Sequence, residues 1–128
     1  MSDLKQRQLL LHQAQRDALA LQRLEKAQQL LKKGWVKNYG GDKIYETYCT
    51  MTAINTASGL GHNANNHDNH AQSLVAAELP PVYNDTDADR IIDWNDHDRT
   101  TKRMVIGLFQ RLINRLRKQQ PQIPGGLR

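Results

Sequence analysis

The chain has 128 residues, of which 38% are apolar and 5% aromatic, and its net charge is +5. This length suits one domain with a small, mostly aliphatic core. No apolar run approaches the roughly 18 residues needed to span a bilayer, and Leu9-Leu10-Leu11 is too short for the apolar region of a signal peptide. The single Cys49 cannot form an internal disulfide, which suits a reducing compartment. We therefore expect a cytoplasmic protein.

The charges are segregated along the chain. Residues 1–34 carry seven basic and three acidic side chains, residues 35–98 carry three and ten, and residues 99–128 carry eight and none. An acidic middle between basic ends can neutralise itself on folding, or it can leave a basic face for a polyanion.

Residues 3–33 are predicted to form one long helix, because good helix formers dominate and neither Gly nor Pro interrupts them. Its end is expected at Gly34, in a left-handed cap. Two apolar seams follow one another along the helix. The first, here called the N-terminal seam, comprises Leu4, Leu11, Ala14, Ala18 and Leu21. The second comprises Leu24, Ala27 and Leu31. We expect the second seam to pack on the domain and the first to bind a protein partner or a second copy.

The middle of the chain predicts shorter elements. Residues 36–43 indicate a turn or short hairpin, and residues 45–57 a second helix, because small or apolar side chains recur there every four residues. Apolar and polar side chains alternate near residue 44, so a short strand at the start of this segment is an alternative. Residues 71–79 predict a third helix, ended by Pro80-Pro81.

The loop at 59–70 is rich in Gly, Asn and His. His62, His67, Asp68 and His70 have donor atoms that suit zinc. No Cys pair or rigid helix presents them, so we expect no physiological metal or cofactor there; adventitious nickel or zinc is the alternative.

Residues 91–100 place a large ring beside acids, an amide and a guanidinium, directly before a helix start. In one interpretation Ile91, Ile92 and Trp94 pack inward and the polar groups bond to one another; in the other the segment forms a ligand or partner pocket. We favour the first, because buried polar groups usually satisfy each other. Arg99 is then expected to reach Asp93 or Asp96.

Cys49 also allows two interpretations. It could be a nucleophile near a helix start, paired with a histidine. A small buried thiol is favoured, because its neighbours at helical spacing are small and apolar.

The last helix is predicted from about residue 101 to residue 118, with Thr100 as a candidate N-cap. Its polar positions carry Lys102, Arg103, Arg111, Arg115, Arg117 and Lys118. These side chains could bind nucleic-acid phosphates, or they could form a solvated face opposite the acidic middle.

Three motifs occur in order: Gly34-Trp35, then Cys49-x-x-x-Ala53-Ile54-x-x-Ala57, then Trp94-Asn95-Asp96-x-x-Arg99-Thr100. This order resembles a family of small, uncharacterised bacterial and phage proteins, catalogued as a domain of unknown function. The resemblance covers roughly residues 20–116 and marks Trp35, Cys49, Trp94, Asn95, Asp96, Arg99 and Thr100 as structural motif residues. The family often has Gly where this chain has Thr52 and Asp98. It implies a mostly helical fold and supplies no activity.

These observations predict a mainly α domain of three to four helices, with a possible short hairpin. Residues 1–19 would form an N-terminal helical extension, 20–118 the domain and 119–128 a flexible tail. The sequence contains no nucleophile–base, paired-carboxylate or phosphate-loop pattern. We therefore expect a non-enzymatic interaction or structural protein, encoded by a phage or mobile element and acting in the virion or on a host factor or defence system. The alternative is a nucleic-acid-binding accessory protein that uses the basic last helix.

Overall fold

The computed structural model describes residues 2–42, 44–60, 69–80 and 86–120, and over these residues the protein is all-α without a strand. The helices are α1 (Ser2–Lys33), α2 (Thr50–Ala57), α3 (His70–Ala77), α4 (Asp87–Asp96) and α5 (Lys102–Gln119). The mainly α fold and the long first helix are confirmed. The described residues contain five helices rather than three or four, because residues 87–96 are helical.

Helix α4 is short and polar, and it is stabilised by its N-terminal cap and by two buried side chains on its inner face. The Thr86 side chain caps it by accepting a hydrogen bond from the backbone N–H of Asp89. The carboxylates of Asp87 and Asp89 in the first turn are stabilised by the positive end of the helix dipole. Ile91 and Trp94, three residues apart, are buried, while Ile92 is 40% exposed. The expectation that both isoleucines pack inward is therefore wrong for Ile92, which lies on the outer face.

Helix α2 begins five residues later than expected, because the preceding segment forms a tight loop. Glu46 has a positive φ of 53°, which a helix does not allow. Asp42 and Thr47 exchange two backbone hydrogen bonds of 3.0 Å, and Tyr48 pairs with Trp35 in an isolated parallel bridge. The expected hairpin is thus reduced to a loop that returns to the end of α1.

Gly34 ends α1 for a different reason from the one expected. Its φ is not positive, whereas those of Gly41 and Gly59 are. A Cβ on Gly34 would lie 2.7 Å from the carbonyl oxygen of Glu46, so a side chain would displace the returning loop. Glycine is required here by close approach and not by a left-handed cap.

The core is built around the second half of α1, which packs against α2, α3 and α5. Leu24, Ala27 and Leu31 are fully buried, as the second apolar seam predicts. Gln28 is also buried, and its amide nitrogen donates to Gln110 Oε1 and to the carbonyl oxygen of Ile106, at 3.0 and 3.2 Å. These two hydrogen bonds fix the register of α1 on α5.

Candidate functional site

The three sequence motifs meet at one buried side chain, Asn95. Its Oδ1 accepts hydrogen bonds from Trp35 Nε1 at 2.7 Å, from the Thr50 backbone N–H at 2.9 Å and from the Thr50 hydroxyl at 2.6 Å. Its Nδ2 donates to the carbonyl oxygen of Val36 and to Asp96 Oδ1, both at 3.0 Å. The side chain is 0% exposed. Asn95 therefore joins the end of α1, the start of α2 and the end of α4.

Two further contacts tie the segment after α1 to the end of α4. Asp96 Oδ1 also accepts from the backbone N–H of Asn38 at 2.8 Å. Lys37 Nζ donates to the carbonyl oxygens of His97 and Asp98 at 2.6 and 3.2 Å. A cation at these carbonyls is favourable because a helix C-terminus carries partial negative charge.

The remaining motif residues take different places. Trp94 is 6% exposed and belongs to the core, as expected. The N-cap of α5 is Thr101, whose hydroxyl accepts from the Met104 backbone N–H, and not Thr100, which is buried. Arg99 is exposed, and the described structure contains no ion pair between it and Asp93 or Asp96. The expected reach of Arg99 is therefore wrong, because its side chain points to solvent.

Cys49 is the N-cap of α2 and lies one residue before that helix. Its Sγ accepts from the Thr52 backbone N–H at 3.4 Å, while the Thr52 hydroxyl accepts from the Cys49 backbone N–H at 2.9 Å. The same hydroxyl donates to the carbonyl oxygen of Gly40 at 2.6 Å. The threonine found where the family often has glycine thus completes a capping box. The thiol is 7% exposed, so the interpretation as a buried structural group is the one the geometry favours.

A polar cluster between α1 and α3 was not predicted. His70 Nε2 lies 2.7 Å from Asp17 Oδ1, and His70 Nδ1 lies 3.2 Å from Arg16 Nη2. Beside the cluster is an open groove of about 380 Å³, also lined by Leu9, His12 and Gln13. The partners are more than fifty residues apart in sequence, so no local pattern could have found the cluster.

Of the four candidate metal ligands in the loop at 59–70, only His70 lies among the described residues, and it contacts Asp17 and Arg16. His62, His67 and Asp68 lie outside the described residues. Among the residues that the structure describes, no group of three His, Cys, Asp or Glu side chains is arranged to hold a metal ion.

The first half of α1 extends beyond the domain. Residues 3–13 are all exposed, which at 1.5 Å per residue is a length of about 16 Å. Leu4 and Leu11 of the N-terminal seam are 63% and 61% exposed, Ala18 is half-buried, and Leu21 packs against the edge of the core. The free part of the seam is therefore its first half.

The free seam also points away from the domain. At 3.6 residues per turn, Leu4 and Leu11 lie about 180° and 160° around the helix from the buried Leu31, whereas Leu9 lies only about 40° from it. Leu9 accordingly faces the groove beside His70. The described part of the domain therefore leaves Leu4 and Leu11 uncovered.

The six basic residues of α5 divide into two groups. Arg115 and Arg117 form ion pairs with Glu78 and Glu25, at 2.5 and 2.6 Å. Lys102 Nζ donates to the carbonyl oxygen of Lys32 at the end of α1, at 2.8 Å. The other three, Arg103, Arg111 and Lys118, are exposed. Half of the predicted basic face is thus engaged within the fold.

Across the described residues, no helix combines the length and apolar character needed to cross a membrane.

Comparison with known proteins identifies one family relationship. Neither a curated protein nor a solved structure matches the chain. Residues 15–115 match the family of unknown function DUF6197, and this span contains all three motifs that converge on Asn95. The chain therefore belongs to the DUF6197 family.

Proposed function

We propose that this protein is a non-enzymatic interaction protein that binds a helical protein surface through the first half of α1. The observation that carries the proposal is the direction of the N-terminal seam. Leu4 and Leu11 are more than 60% exposed and lie on the side of α1 opposite to the buried face. Burial of such side chains is favourable by about 1.5–3 kcal/mol each, and among the described residues none covers them, so we assign their burial to another chain.

The hydrogen bonds of the motif residues Asn95 and Cys49 support a structural role for the centre of the domain. Asn95 has its hydrogen-bonding groups engaged by Trp35, Val36, Thr50 and Asp96, and Cys49 caps a helix. These groups hold three segments together, so they position α1 and are not free for a substrate.

The seam is short and regular, as helix-in-groove recognition requires. Leu4 and Leu11 are seven residues apart and so lie along one line of the helix surface, which the half-buried Ala18 continues toward the domain. A partner helix from a second copy or from another protein would fit this line. We further propose a role in a virion or against a host factor or defence system. This more specific proposal rests on the phage association that the motif resemblance implies.

The test is a pair of matched variants. Leu4→Gln with Leu11→Gln removes the free seam, whereas Leu9→Gln with Leu10→Gln removes two leucines of similar exposure, 69% and 66%, that lie off it. Sedimentation velocity reports self-association, and quantitative affinity capture from the native host reports another partner.

We expect the seam variant to weaken the complex at least about 100-fold, because two buried leucines contribute about 3 kcal/mol or more. The off-seam variant should retain it. Equal behaviour of the two variants, or no complex formed by the unmodified protein in either assay, would overturn the proposal.

A further inference from the structure

The outer face of α5 carries positive charge that is not paired within the described residues. Among the described residues, Arg103, Arg111 and Lys118 are exposed and form no ion pair or hydrogen bond. They follow one another at intervals of eight and seven residues, or about two turns each, and so share one side of the helix. α5 contains no acidic residue that could neutralise them. We call these three residues the basic stripe.

Gly107 lies within the basic stripe, one turn after Arg103 and one turn before Arg111. Glycine inside a helix is destabilising relative to alanine, because it has more backbone freedom to lose on folding. Among the described residues, a Cβ on Gly107 would meet only Arg111 Nη1 within 4 Å, at 3.6 Å, which is ordinary van der Waals contact. The described part of the fold therefore has room for a side chain at this position and gives no steric reason for glycine.

We propose that the basic stripe binds the phosphate backbone of duplex nucleic acid, and that Gly107 lets that backbone approach the main chain of α5. The stripe spans about 22 Å of helix, and a DNA duplex carries one negative charge per about 1.7 Å of its axis. The three side chains of the basic stripe can each contact a phosphate, and Gly107 leaves space between them for the nucleic-acid backbone. This inference is independent of the contact proposed for α1, because it concerns another helix.

The charge component is tested by the salt dependence of binding to a 30-base-pair DNA duplex between 50 and 200 mM salt. Neutralising three phosphate contacts gives a slope of about −2.7 in log affinity against log salt, and hence a loss of about 40-fold over this range. The variant Arg103→Gln/Arg111→Gln/Lys118→Gln should make the slope shallower by about 2.7. Arg115→Gln is the matched control, because Arg115 pairs with Glu78 and should leave the slope unchanged.

The role of Gly107 is tested by Gly107→Ala. This variant should raise the melting temperature, since alanine favours the helix, and should still weaken duplex binding because a methyl group intrudes on the contact. The slope with salt should not change, because no charge is removed. A more stable protein with unaltered affinity would overturn the role assigned to Gly107.

Three outcomes would overturn the assignment of the basic stripe to nucleic acid. The first is no detectable duplex binding at 50 mM salt. The second is a triple variant that binds with the same affinity and slope as the unmodified protein while circular dichroism shows it folded. The third is binding of polyglutamate as tight as duplex binding at equal salt, which would assign the stripe to an acidic protein. Failure here leaves the sedimentation and capture tests of the α1 seam unaffected.

Discussion

The side chain of Asn95 hydrogen-bonds to groups that lie 45 to 60 residues away in sequence. An asparagine amide both accepts and donates, so one side chain can satisfy the indole of Trp35, the start of α2 and a carbonyl of the connecting segment at once. Neither leucine, which lacks polar atoms, nor aspartate, which lacks the donor, can replace it. The residue is therefore specified by its chemistry and not by its volume.

Asn95→Ala should destabilise the protein by on the order of 3 kcal/mol, because it leaves the buried N–H groups of Trp35 and Thr50 without an acceptor. Chemical denaturation of the variant measures this loss. Arg99→Gln, at an exposed position of the same motif, should change the unfolding free energy by less than about 0.5 kcal/mol. Similar losses in the two variants would contradict the role given to Asn95.

Trp94→Ala tests the neighbouring position. The ring is 6% exposed, and its truncation leaves a cavity, so the expected cost is about 3–5 kcal/mol. Thermal or urea unfolding checks it. A melting temperature equal to that of the unmodified protein would show that Trp94 contributes no core packing.

Among the elements, α2 to α5 each begin after a residue whose side chain caps the helix. α3, α4 and α5 begin after Asn69, Thr86 and Thr101, which are preferred N-caps, while α2 begins after Cys49. A thiol is a weak acceptor, and at Cys49 it is supplemented by the Thr52 hydroxyl, which bonds back to the N-cap. The cap at α2 thus depends on two residues.

Cys49→Ala should cost about 1 kcal/mol through loss of the cap, and Cys49→Ser should cost less, because a hydroxyl can accept the same hydrogen bond. Unfolding of the two variants in parallel measures the difference. The native thiol, at 7% exposure, should also react slowly with thiol reagents. Rapid labelling of the folded protein would contradict the buried cap.

The sequence predicted the elements whose apolar periodicity is strong and failed where loop geometry or distant contacts decide. Apolar residues of α5 recur every three or four positions, at Val105, Leu108, Leu112 and Leu116, and those of the second seam of α1 recur in the same way, so both helices follow from spacing alone. Spacing does not reveal α4, because only two buried apolar side chains, Ile91 and Trp94, mark its inner face. Spacing places the start of α2 too early, because the interval between Tyr45 and Cys49 crosses a loop in which Glu46 adopts a positive φ.

The candidate sites also divide into those that the sequence can predict and those that depend on distant contacts. The exposure of Leu4 and Leu11 could be predicted, since the seam is offset from the apolar residues that follow it. The convergence of three motifs on Asn95 could not, because hydrogen bonds between residues 45 to 60 apart leave no local pattern. The engagement of Arg115 and Arg117 by Glu78 and Glu25 was unpredictable for the same reason.

For the whole molecule, the projecting half of α1 is separable from the domain. Residues 3–13 are exposed and contribute little to the core. Deletion of residues 2–16 also removes Arg16, whose contact with His70 is exposed, so the unfolding transition should stay cooperative and shift little. Thermal unfolding monitored by circular dichroism checks this expectation. A truncated chain that fails to fold would show that this segment stabilises the domain and is not reserved for a partner.

Site-specific photocrosslinking in the native host tests whether the N-terminal seam contacts another protein chain. A photoreactive phenylalanine analogue replaces Leu11 on the seam or, as the control, Leu9 on the side that faces the groove beside His70. We expect a discrete crosslinked product from position 11, at twice the mass of the chain for a second copy or at another defined mass for another protein, and little product from position 9. No product from position 11, or equal products from both positions, would show that the seam makes no specific protein contact.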